Sequence, residues 1–423
     1  MKKKLWMIFG PVIVAIAALL ILLWAPINFK TVTPQKVRQA ATSLDVRVLK
    51  GESVKNAAEK ENYIPIIGSS ELSRMDPFHP SSMAQKYHWK NKPFLLGNPG
   101  TASLTQAMNV SGMANLKGNK AVMIISPQWF TKTGVPPEAF KYFLSPLQLT
   151  GFILNSDHGD KAMNKYVAGR ILDLGVDKGP IEDGALQRIA DGKKITDFQR
   201  FYIKNFARSS LQSQDDLFGS ISMNDHEKQI DKAASKLPDK YNYKELNKLA
   251  IKMAKNKSQD NDLQIGDTFY NRQLKKRISI YRNAHKHVTY THSPEYNDFQ
   301  ALLYMFAQNN TEVMFVIQPI NPYWVKYTGM PLSSISNFDT KIKYQLTSQG
   351  FNNIIDLSQV KNPNYIAEDT IHMGWRGWLM LDRHLKDYSK DKKANPKNTQ
   401  YKMDSYFLTD TWANNTDFSN DNK

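Results

Sequence analysis

The sequence contains no cysteine among its 423 residues. This absence excludes disulfide bonds, metal sites built on thiolates and cysteine nucleophiles. It is compatible with a protein that lies outside the membrane of a cell that does not rely on disulfides, but it identifies no compartment. The length is sufficient for a substantial core in one large or two ordinary domains.

Acidic residues are also scarce, with 39 Asp and Glu against 56 Lys and Arg, so the formal net charge is +17. Such an excess favours an anionic partner, for example a membrane surface, a phosphate polymer or nucleic acid. The sequence contains no helix-turn-helix pattern, no aromatic RNA-binding signature and no paired zinc ligands. We therefore do not expect nucleic acid to be the partner.

Charged residues are absent from residues 5–27. As a helix this stretch would extend roughly 35 Å, which is enough to cross a bilayer. The alternative is a cleaved signal peptide, because Lys2, Lys3 and Lys4 form a suitable basic start. Residues 23–25 lack the small-residue pair of a cleavage site, which favours an uncleaved single-pass anchor within residues 1–30. The very short preceding tail predicts a cytoplasmic N-terminus in the cell membrane and an extracellular body, residues 31–423.

Five apolar runs alternate with helical patterns in the body. The runs predict strands at residues 63–68, 93–96, 121–126, 313–318 and 353–357. The helical patterns include residues 103–116, 296–308, 332–349 and 375–384. This alternation predicts an α/β fold with a mostly parallel five-stranded sheet and helices on both faces. In such sheets the functional site lies at the carboxyl ends of the strands.

Three stretches depart from this alternation. Residues from about 157 to 257 show no convincing strand pattern and are predicted to form a helical insertion between the third and fourth strands. Residues 31–60 are interpreted as a lead-in that is partly extended around residues 43–49. The stretch from Asp410 onward is rich in Asn, Asp and Thr and is predicted to be frayed or disordered.

Gly68, Ser69 and Ser70 directly follow the first predicted strand. An apolar run that stops there and continues with residues able to start a helix indicates a strand-to-helix turn. Such a turn can lift the Ser70 hydroxyl above the edge of the sheet. A purely structural turn serine gives the same local pattern. A catalytic role therefore needs a base and an orienting acid from elsewhere in the chain.

Asp369 and His372 offer that base and acid close to the last predicted strand. On one face of a helical turn, the carboxylate can hold one ring nitrogen while the other ring nitrogen faces Ser70. A lone Asp-x-x-His is commonly a surface pair. Here, however, both stretches adjoin strands of one predicted sheet at its carboxyl edge. This placement favours a catalytic triad of Ser70, His372 and Asp369.

Five stretches together resemble the SGNH (GDSL-type) hydrolase family: residues 68–72, 97–101, 126–130, 293–296 and 369–375. The resemblance extends over almost the entire chain for the membrane-anchored members that act in lipoteichoic acid D-alanylation. It implies a flavodoxin-like sheet, with Ser70 as nucleophile, His372 as general base and Asp369 as the residue that orients it.

The resemblance also implies an oxyanion hole, to which Gly100 or Gly97 would contribute a backbone N–H beside that of Ser70. Two positions depart from the family pattern. Ser69 stands where the family has an aspartate, and the Gly-x-Asn-Asp block is missing after the third strand. Gln128 lies near that block and is a candidate amide donor. Because losing one oxyanion donor costs on the order of 10²–10³ in rate, a slow or partner-dependent enzyme is expected.

Residues 268–294, named here the basic segment, contain no acidic residue. Its candidate polyanion-binding residues are Arg272, Lys275, Lys276, Arg277, Arg282 and Lys286. These cations either contact the phosphates of a polyglycerol-phosphate chain or form an ordinary solvated helix face. His285 and His287 have no carboxylate close by in sequence, so no metal site is predicted.

By resemblance, the chemistry is acyl transfer through a serine ester, with D-alanine as the acyl group and a lipoteichoic acid hydroxyl as the acceptor. The implied partners are lipoteichoic acid, the D-alanyl carrier protein, a membrane O-acyltransferase of the same pathway and the membrane. Water as acceptor would instead give a thioesterase that hydrolyses mischarged D-alanyl carrier protein. A non-catalytic module that binds teichoic acid or partners is the competing class. No metal or organic cofactor is expected.

Overall fold

A five-stranded parallel sheet forms the centre of the computed structural model, which describes residues 2–24, 32–219, 223 and 225–417. The strands are β1 (Tyr63–Ile67), β2 (Lys92–Leu96), β3 (Lys120–Ile125), β4 (Glu312–Ile317) and β5 (Ile354–Asp356). Their order in the sheet is β2-β1-β3-β4-β5, and every neighbouring pair is parallel. The five predicted strands are therefore confirmed, and the order is that of flavodoxin-like sheets.

Successive side chains on the strands enter two different hydrophobic cores. On β3, Met123 and Ile125 lie in one core, whereas Val122 and Ile124 lie in the other. All positions of β4 are buried. Because both faces of the sheet are covered, the strand sequences are nearly continuous apolar runs.

Helices account for most of the remaining chain. Those before β4 are α1 (Lys2–Trp24), α2 (Pro34–Ser43), α3 (Val46–Lys50), α4 (Ser53–Lys60), α5 (Pro80–Lys86), α6 (Ser103–Ser111), α7 (Pro137–Phe143), α8 (Pro146–Asn155), α9 (Lys161–Asp173), α10 (Pro180–Ala190), α11 (Asp197–Tyr202), α12 (Arg208–Gly219), α13 (Glu227–Ala234), α14 (Tyr243–Lys257), α15 (Asp267–Phe269), α16 (Ile278–Tyr281) and α17 (Glu295–Gln308). Those after β4 are α18 (Pro322–Thr328), α19 (Leu332–Thr347), α20 (Trp375–Tyr388) and α21 (Asp410–Asn414). The four predicted helices near the strands correspond to α6, α17, α19 and α20.

The long region between β3 and β4 contains helices joined by turns and no strand among its described residues, which are all except 220–222 and 224. Helices of this region already begin at α7, before the predicted start near residue 157, and the helical insertion stays a prediction. The insertion also contributes to the second core, because Leu246 and Ala250 of α14 pack there with Trp378 and Leu381 of α20. The last helix of the insertion, α14, therefore supports the helix that follows His372.

The lead-in to the first strand is helical, so the expected extended stretch around residues 43–49 is wrong. Thr33 and Asp45 lie at the N-caps of α2 and α3, where their side-chain oxygens accept backbone N–H groups. These caps, together with burial of Val48, outweigh the β propensity of the Val46-Arg47-Val48 sequence.

The chain remains ordered well beyond Asp410, contrary to the expectation of a frayed end. Trp412 of α21 is fully buried and donates its indole N–H to the Gln345 side chain at 3.0 Å. Residues 418–423, the last part of the stretch predicted to be disordered, lie outside the described residues. The buried Trp412 side chain thus holds the C-terminal stretch against the body, together with Lys341, whose ammonium donates to the carbonyls of Trp412 and Asn415.

Most of the predicted anchor lies within α1, and its last residues, 25–27, lie outside the described residues. Among the residues that the structure describes, no helix is long and apolar enough to cross a membrane. The predicted single-pass anchor is therefore not confirmed.

Candidate active site

A tight turn at the end of β1 presents Ser70. Gly68 donates its backbone N–H to the carbonyl of Leu96 at 3.1 Å, and the 3₁₀ turn Ser70–Ser73 begins two residues later. A Cβ atom at Gly68 would collide with the Glu71 carboxylate, so a larger residue there would displace that side chain. The predicted strand-to-helix turn is present, and it leaves Ser70 half-buried at the carboxyl edge of the sheet.

The buried side chain of Glu71 stabilises this turn. Its carboxylate accepts the backbone N–H of Ser69 at 2.6 Å, and the whole residue is buried. Burial raises the pKa of Glu71, and the hydrogen bond from Ser69 opposes that rise. Because Glu71 is bonded to the backbone just before Ser70, it fixes the direction in which the serine leaves the strand.

Asp369 and His372 lie in a hairpin-like turn and not on the helical turn that the sequence suggested. Ala367 and Met373 form an antiparallel bridge at the base of this turn. At its tip, the Asp369 carboxylate accepts the backbone N–H groups of Ile371 at 3.0 Å and of His372 at 2.9 Å. The aspartate therefore shapes the turn that carries the histidine.

Ser70, His372 and Asp369 form one hydrogen-bonded chain, although Ser70 and His372 are 302 positions apart. Ser70 Oγ lies 2.6 Å from His372 Nε2. His372 Nδ1 lies 2.8 Å from Oδ2 and 3.0 Å from Oδ1 of Asp369. When Nδ1 carries the ring proton and donates it to Asp369, Nε2 is free to accept the serine proton. The structure thus brings the three predicted residues together in an arrangement that suits a nucleophile, a base and an orienting acid.

Arg74 provides a positive charge beside this chain. Its Nη2 atom lies 2.8 Å from Asp369 Oδ2 and 3.3 Å from His372 Nδ1. Burial raises the pKa of Asp369, but the hydrogen bond and charge of His372 and the charge of Arg74 outweigh it, so this pKa lies below its usual value. Asp369 therefore stays ionised and can stabilise the imidazolium that forms when His372 takes a proton.

Two side chains that the sequence analysis missed connect the serine segment to the histidine segment. Arg74 pairs with Asp369, and the buried Asp76 accepts the backbone N–H groups of Trp375 and of Phe78, the latter at 2.7 Å. Burial raises the pKa of Asp76 to about 7, while these backbone hydrogen bonds act in the opposite direction. No sequence pattern signals such contacts, since Asp76 and Trp375 are 299 positions apart.

The loop after β2 packs directly against the serine turn. The Ser69 hydroxyl donates to the carbonyl of Asn98 at 3.0 Å. A Cβ atom at Gly97 would come within 2.5 Å of the Gly68 carbonyl oxygen, and Gly100 has a φ of +96°. Both predicted glycines are thus required by the backbone: Gly97 by close approach and Gly100 by its left-handed conformation.

Several hydrogen-bond donors are available at this edge of the sheet. The backbone N–H groups of Ser70, Gly97 and Gly100 have no acceptor among the residues that the structure describes. The side-chain nitrogen of Asn98 is buried and likewise lacks a partner in that part of the chain. Gln128 lies half-buried in the 3₁₀ turn Pro127–Trp129 after β3. Asn98 was missed, although an asparagine beside the loop glycine was a visible signal.

Two further buried side chains without partners follow neighbouring strands. Ser126 Oγ, after β3, and both amide atoms of Gln318, after β4, have no partner among the described residues. The two positions are adjacent, because Gln318 donates its backbone N–H to the carbonyl of Ile125 at 3.1 Å. Burying an unbonded polar group costs free energy. The edge beside Ser70 therefore holds groups suited to a polar substrate.

Glu295 gives a structural reason for the Ser-Pro-Glu sequence at residues 293–295. It is fully buried and accepts the backbone N–H of Ser103 at 2.6 Å, at the start of α6. Burial and the neighbouring Asp298 raise the pKa of Glu295. Since α6 directly follows the loop of residues 97–101, Glu295 holds the far end of that loop in place.

The basic segment is a series of short turns on the surface, comprising α15, the π-helical turn Tyr270–Leu274 and α16. Its exposed cations are Arg272, Lys275, Lys276, Arg277, Arg282 and Lys286. Within the described residues, none of these six side chains forms an ion pair. Arg282 lies over the ring of Tyr327 at 5.1 Å. The charges are therefore available to a ligand, and their polyanion-binding role stays a prediction.

Helix α18 connects the basic segment to the histidine turn. His285 donates its backbone N–H to the carbonyl of Thr328, the last residue of α18, at 2.9 Å. Asn321, the N-cap of α18, donates its backbone N–H to the carbonyl of Thr370 at 3.1 Å and its side-chain amide to that of Asp369 at 3.1 Å. One short helix thus contacts both regions.

No group of three or more His, Asp or Glu side chains in the described residues is arranged to hold a metal ion. His285, one of the two histidines in the basic segment, packs against Trp324 with ring centroids 6.0 Å apart. This contact gives His285 a packing role.

Comparison with known proteins identifies the family of this chain. A family model described as DltD protein matches residues 41–390. The chain belongs to the DltD family. A Protein DltD from Lacticaseibacillus rhamnosus is 42% identical over 411 residues, covering 97% of this chain and 96% of the relative. Relatives of the same name come from Bacillus subtilis (32% identical, covering 93% of this chain and 99% of the relative) and Staphylococcus aureus (27%, covering 92% and 99%).

The part matched by the DltD family model includes the whole candidate site. Residues 41–390 contain the five strands, Ser70, the turn with Asp369 and His372, and the basic segment. Helix α1 lies before this range and α21 lies after it. All residues of the candidate site therefore lie within the part of this chain that the DltD family model matches.

Proposed function

We propose that this DltD-family protein is a membrane-anchored SGNH-type serine acyltransferase that acts in D-alanylation of lipoteichoic acid. Ser70 would carry the D-alanyl group as an ester before its transfer. The single observation that carries the proposal is the 2.6 Å contact between Ser70 Oγ and His372 Nε2, with Asp369 on the opposite ring nitrogen. A nucleophile and a base in direct contact, with the base oriented by an acid, are the parts that acyl transfer through serine requires.

The first half-reaction loads the serine. His372 Nε2 takes the hydroxyl proton while Ser70 Oγ attacks the acyl carbonyl carbon, and a tetrahedral oxyanion forms. When this intermediate collapses, the bond to the donor group breaks and His372 returns the proton to that leaving group. Throughout, Asp369 holds the Nδ1 proton and balances the positive charge on the ring.

The loop after β2 is suited to stabilise the negative charge of the oxyanion. We assign the backbone N–H of Ser70 as one donor, with Gly97 or Gly100 as the second. Asn98 is a further donor, because its buried side-chain nitrogen has no partner in the described part of the chain and its carbonyl contacts Ser69. Gln128 remains the alternative side-chain donor after β3.

In the second half-reaction an acceptor hydroxyl replaces the donor group. His372 takes the proton of the acceptor hydroxyl while the oxygen of that hydroxyl attacks the ester carbon. The bond to Ser70 Oγ then breaks, and His372 returns the proton to Ser70 Oγ. The exposed, unpaired cations of the basic segment support a polyglycerol-phosphate chain as the acceptor, because each phosphate carries a negative charge. Water in place of this hydroxyl would make the same site a thioesterase that hydrolyses mischarged carrier protein.

The remaining assignments follow from the family resemblance. We propose the D-alanyl carrier protein and a membrane O-acyltransferase of the same pathway as partners, with the body on the extracellular side of the cell membrane. Exposed apolar side chains on α1, including Trp6 and Phe9, support its burial in lipid. Three lysines in the first turn of this helix support a cytoplasmic N-terminus.

The experiment that tests the function compares cells that express wild type, Ser70→Ala or Ser336→Ala as the sole copy. Ser336 is exposed on α19 and serves as a matched control. The proposal predicts loss of ester-linked D-alanine from lipoteichoic acid for Ser70→Ala at normal protein level, and an unchanged content for Ser336→Ala. A wild-type D-alanine content with Ser70→Ala would contradict it and would favour the non-catalytic binding module.

A further inference from the structure

Four aromatic rings that take no part in the candidate site form a continuous stripe. Phe198, Phe201, Tyr202 and Phe206 are named here the aromatic face. Ring centroids are 6.5 Å apart for Phe198 and Tyr202, 5.9 Å for Tyr202 and Phe206, and 5.8 Å for Phe201 and Phe206. The exposed fractions of Phe198 and Phe201 are 66% and 58%, which is unusual for phenylalanine.

The aromatic face lies on one side of a continuous helix over residues 197–219, in which α11 and α12 are joined by the π-helical turn Ile203–Ala207. The spacing of three or four residues places the rings together, whereas Ile203 points into the core and is fully buried. Lys204 is exposed between the rings, and Lys194 is exposed just before the helix. An aromatic stripe flanked by lysines is typical of helices that lie in a membrane interface.

The position of this helix in the body points to the same environment. Its last residue, Gly219, lies close to Val32, the first described residue after the apolar N-terminal stretch, because a Cβ atom at Gly219 would come within 3.8 Å of the Val32 side chain. Helix α12 also lies beside α1. Residues 25–31 are the only chain between α1 and Val32, and a stretch of that length spans at most about 25 Å. The helix over residues 197–219 therefore ends where the body is tethered to α1.

We propose that the aromatic face rests on the lipid headgroup region of the membrane into which α1 inserts. The phenylalanine rings of residues 198 and 201 enter the boundary between headgroups and acyl chains, and Lys194 and Lys204 contact anionic headgroups. This contact, together with the short tether, restricts the orientation of the body above the bilayer. The inference rests on the proposed membrane anchor and is independent of the serine chemistry.

Because the chain has no cysteine, single reporter positions can be labelled without background. We would introduce Phe198→Cys, Phe201→Cys or Leu332→Cys into the full-length chain and attach an environment-sensitive fluorophore. Leu332 is the matched control, since it is also a large apolar residue, 75% exposed, but lies at the start of α19. The proteins would be reconstituted into liposomes of phosphatidylcholine and phosphatidylglycerol that carry nitroxide-labelled lipid.

The proposal predicts that the probes at positions 198 and 201 shift to shorter emission wavelength and are quenched several-fold more by the nitroxide lipid than the probe at position 332. Equal quenching at all three positions would overturn it. The proposal would also be overturned if the protein floats with the liposomes but the probes at positions 198 and 201 emit as they do in water. A protein partner would then be the remaining candidate for the aromatic face. Failure to float would reject the anchor and the lipid contact together, without affecting the test of Ser70.

Discussion

Two neighbouring polar regions of this molecule differ in how their side chains are held. In the triad, Asp369 is fully buried, and the histidine ring, Arg74 and two backbone N–H groups all contact its carboxylate. In the basic segment, six cations are exposed and form no ion pair within the described chain. Both regions contact α18.

Under the proposed function, this difference would correspond to two tasks, acyl transfer by the triad and polyanion binding by the basic segment. Bond-making chemistry needs reacting atoms in one fixed arrangement, and the buried bonds of Asp369 provide it. Binding of a long, flexible polyanion needs accessible charge without a fixed geometry, and the basic segment provides that. Substitutions in the triad should therefore change the rate of the serine reaction, whereas substitutions in the basic segment should change affinity alone.

The largest effect is expected for Asp369→Asn. The amide has no negative charge and cannot hold Nδ1–H in the same way, so His372 loses the correct tautomer and the charge that balances its imidazolium. We expect the rate of acyl transfer to fall on the order of 10³–10⁴-fold, measured by single-turnover kinetics. Asp262→Asn, at an exposed position, is the control. A decrease of less than about tenfold would contradict the role of Asp369.

The next effect is expected for Asn98→Ala, which removes a proposed oxyanion donor. The rate constant of the chemical step should fall on the order of 10²-fold, because the donor acts on charge that develops in the transition state. Substrate affinity should change little. Gln128→Ala is the matched comparison. If the rate constant falls more for Gln128→Ala than for Asn98→Ala, the side-chain donor is Gln128, after β3, and not Asn98, after β2.

Arg74→Met should reduce stability with a defined pH dependence. Arg74 helps to lower the pKa of Asp369, and a lowered carboxyl pKa stabilises the fold above the unfolded-state pKa and loses that effect as pH falls through the folded-state value. We expect the free energy of unfolding to drop on the order of 1–3 kcal/mol near neutral pH. In denaturant titrations, the difference from wild type should shrink below the usual Asp pKa. A pH-independent difference would contradict the ion pair, and Arg74→Lys should recover part of the loss.

The smallest effect is expected in the basic segment. Replacing Lys275, Lys276 and Lys286 by Gln should weaken binding to polyglycerol phosphate a few-fold at low salt, with a smaller difference at high salt because ions screen exposed charges. The rate of reaction with a serine-directed probe should not change. Lys244, Lys248 and Lys252 on α14 are also exposed and supply a charge-matched control triple. Equal weakening by both triples would mean that net charge alone determines binding.

The sheet was predictable because its pattern is local. Strands β1 to β4 are largely buried on both faces and therefore appear as short apolar runs, and the parallel order places Ser70 and the histidine turn at one edge. The caps at Thr33 and Asp45 were overlooked, so a helical lead-in was interpreted as partly extended. The C-terminal stretch was misjudged because its composition is polar, although Trp412 anchors it in the core and Lys341 binds its backbone carbonyls.

The candidate site was predictable only in part. Ser70, Asp369 and His372 carry recognisable spacing, and the structure brings them together. The contacts of Arg74 and Asp76 with the histidine segment depend on residues about 300 positions away, and no local pattern encodes them. The position of Asn98 beside a loop glycine is visible in the sequence, but its assignment as a donor also requires knowing that its side-chain nitrogen is unpaired in the described part of the folded chain.

The most direct test of the central claim is intact-mass analysis of the full-length protein after reaction with a fluorophosphonate probe. Wild type, Ser70→Ala and His372→Ala would be compared, with circular dichroism to establish that each is folded. An activated serine predicts a single adduct on wild type and none on either variant. A folded wild-type protein that gains no adduct even with the proposed membrane O-acyltransferase present, or an adduct that persists in His372→Ala, would contradict the account.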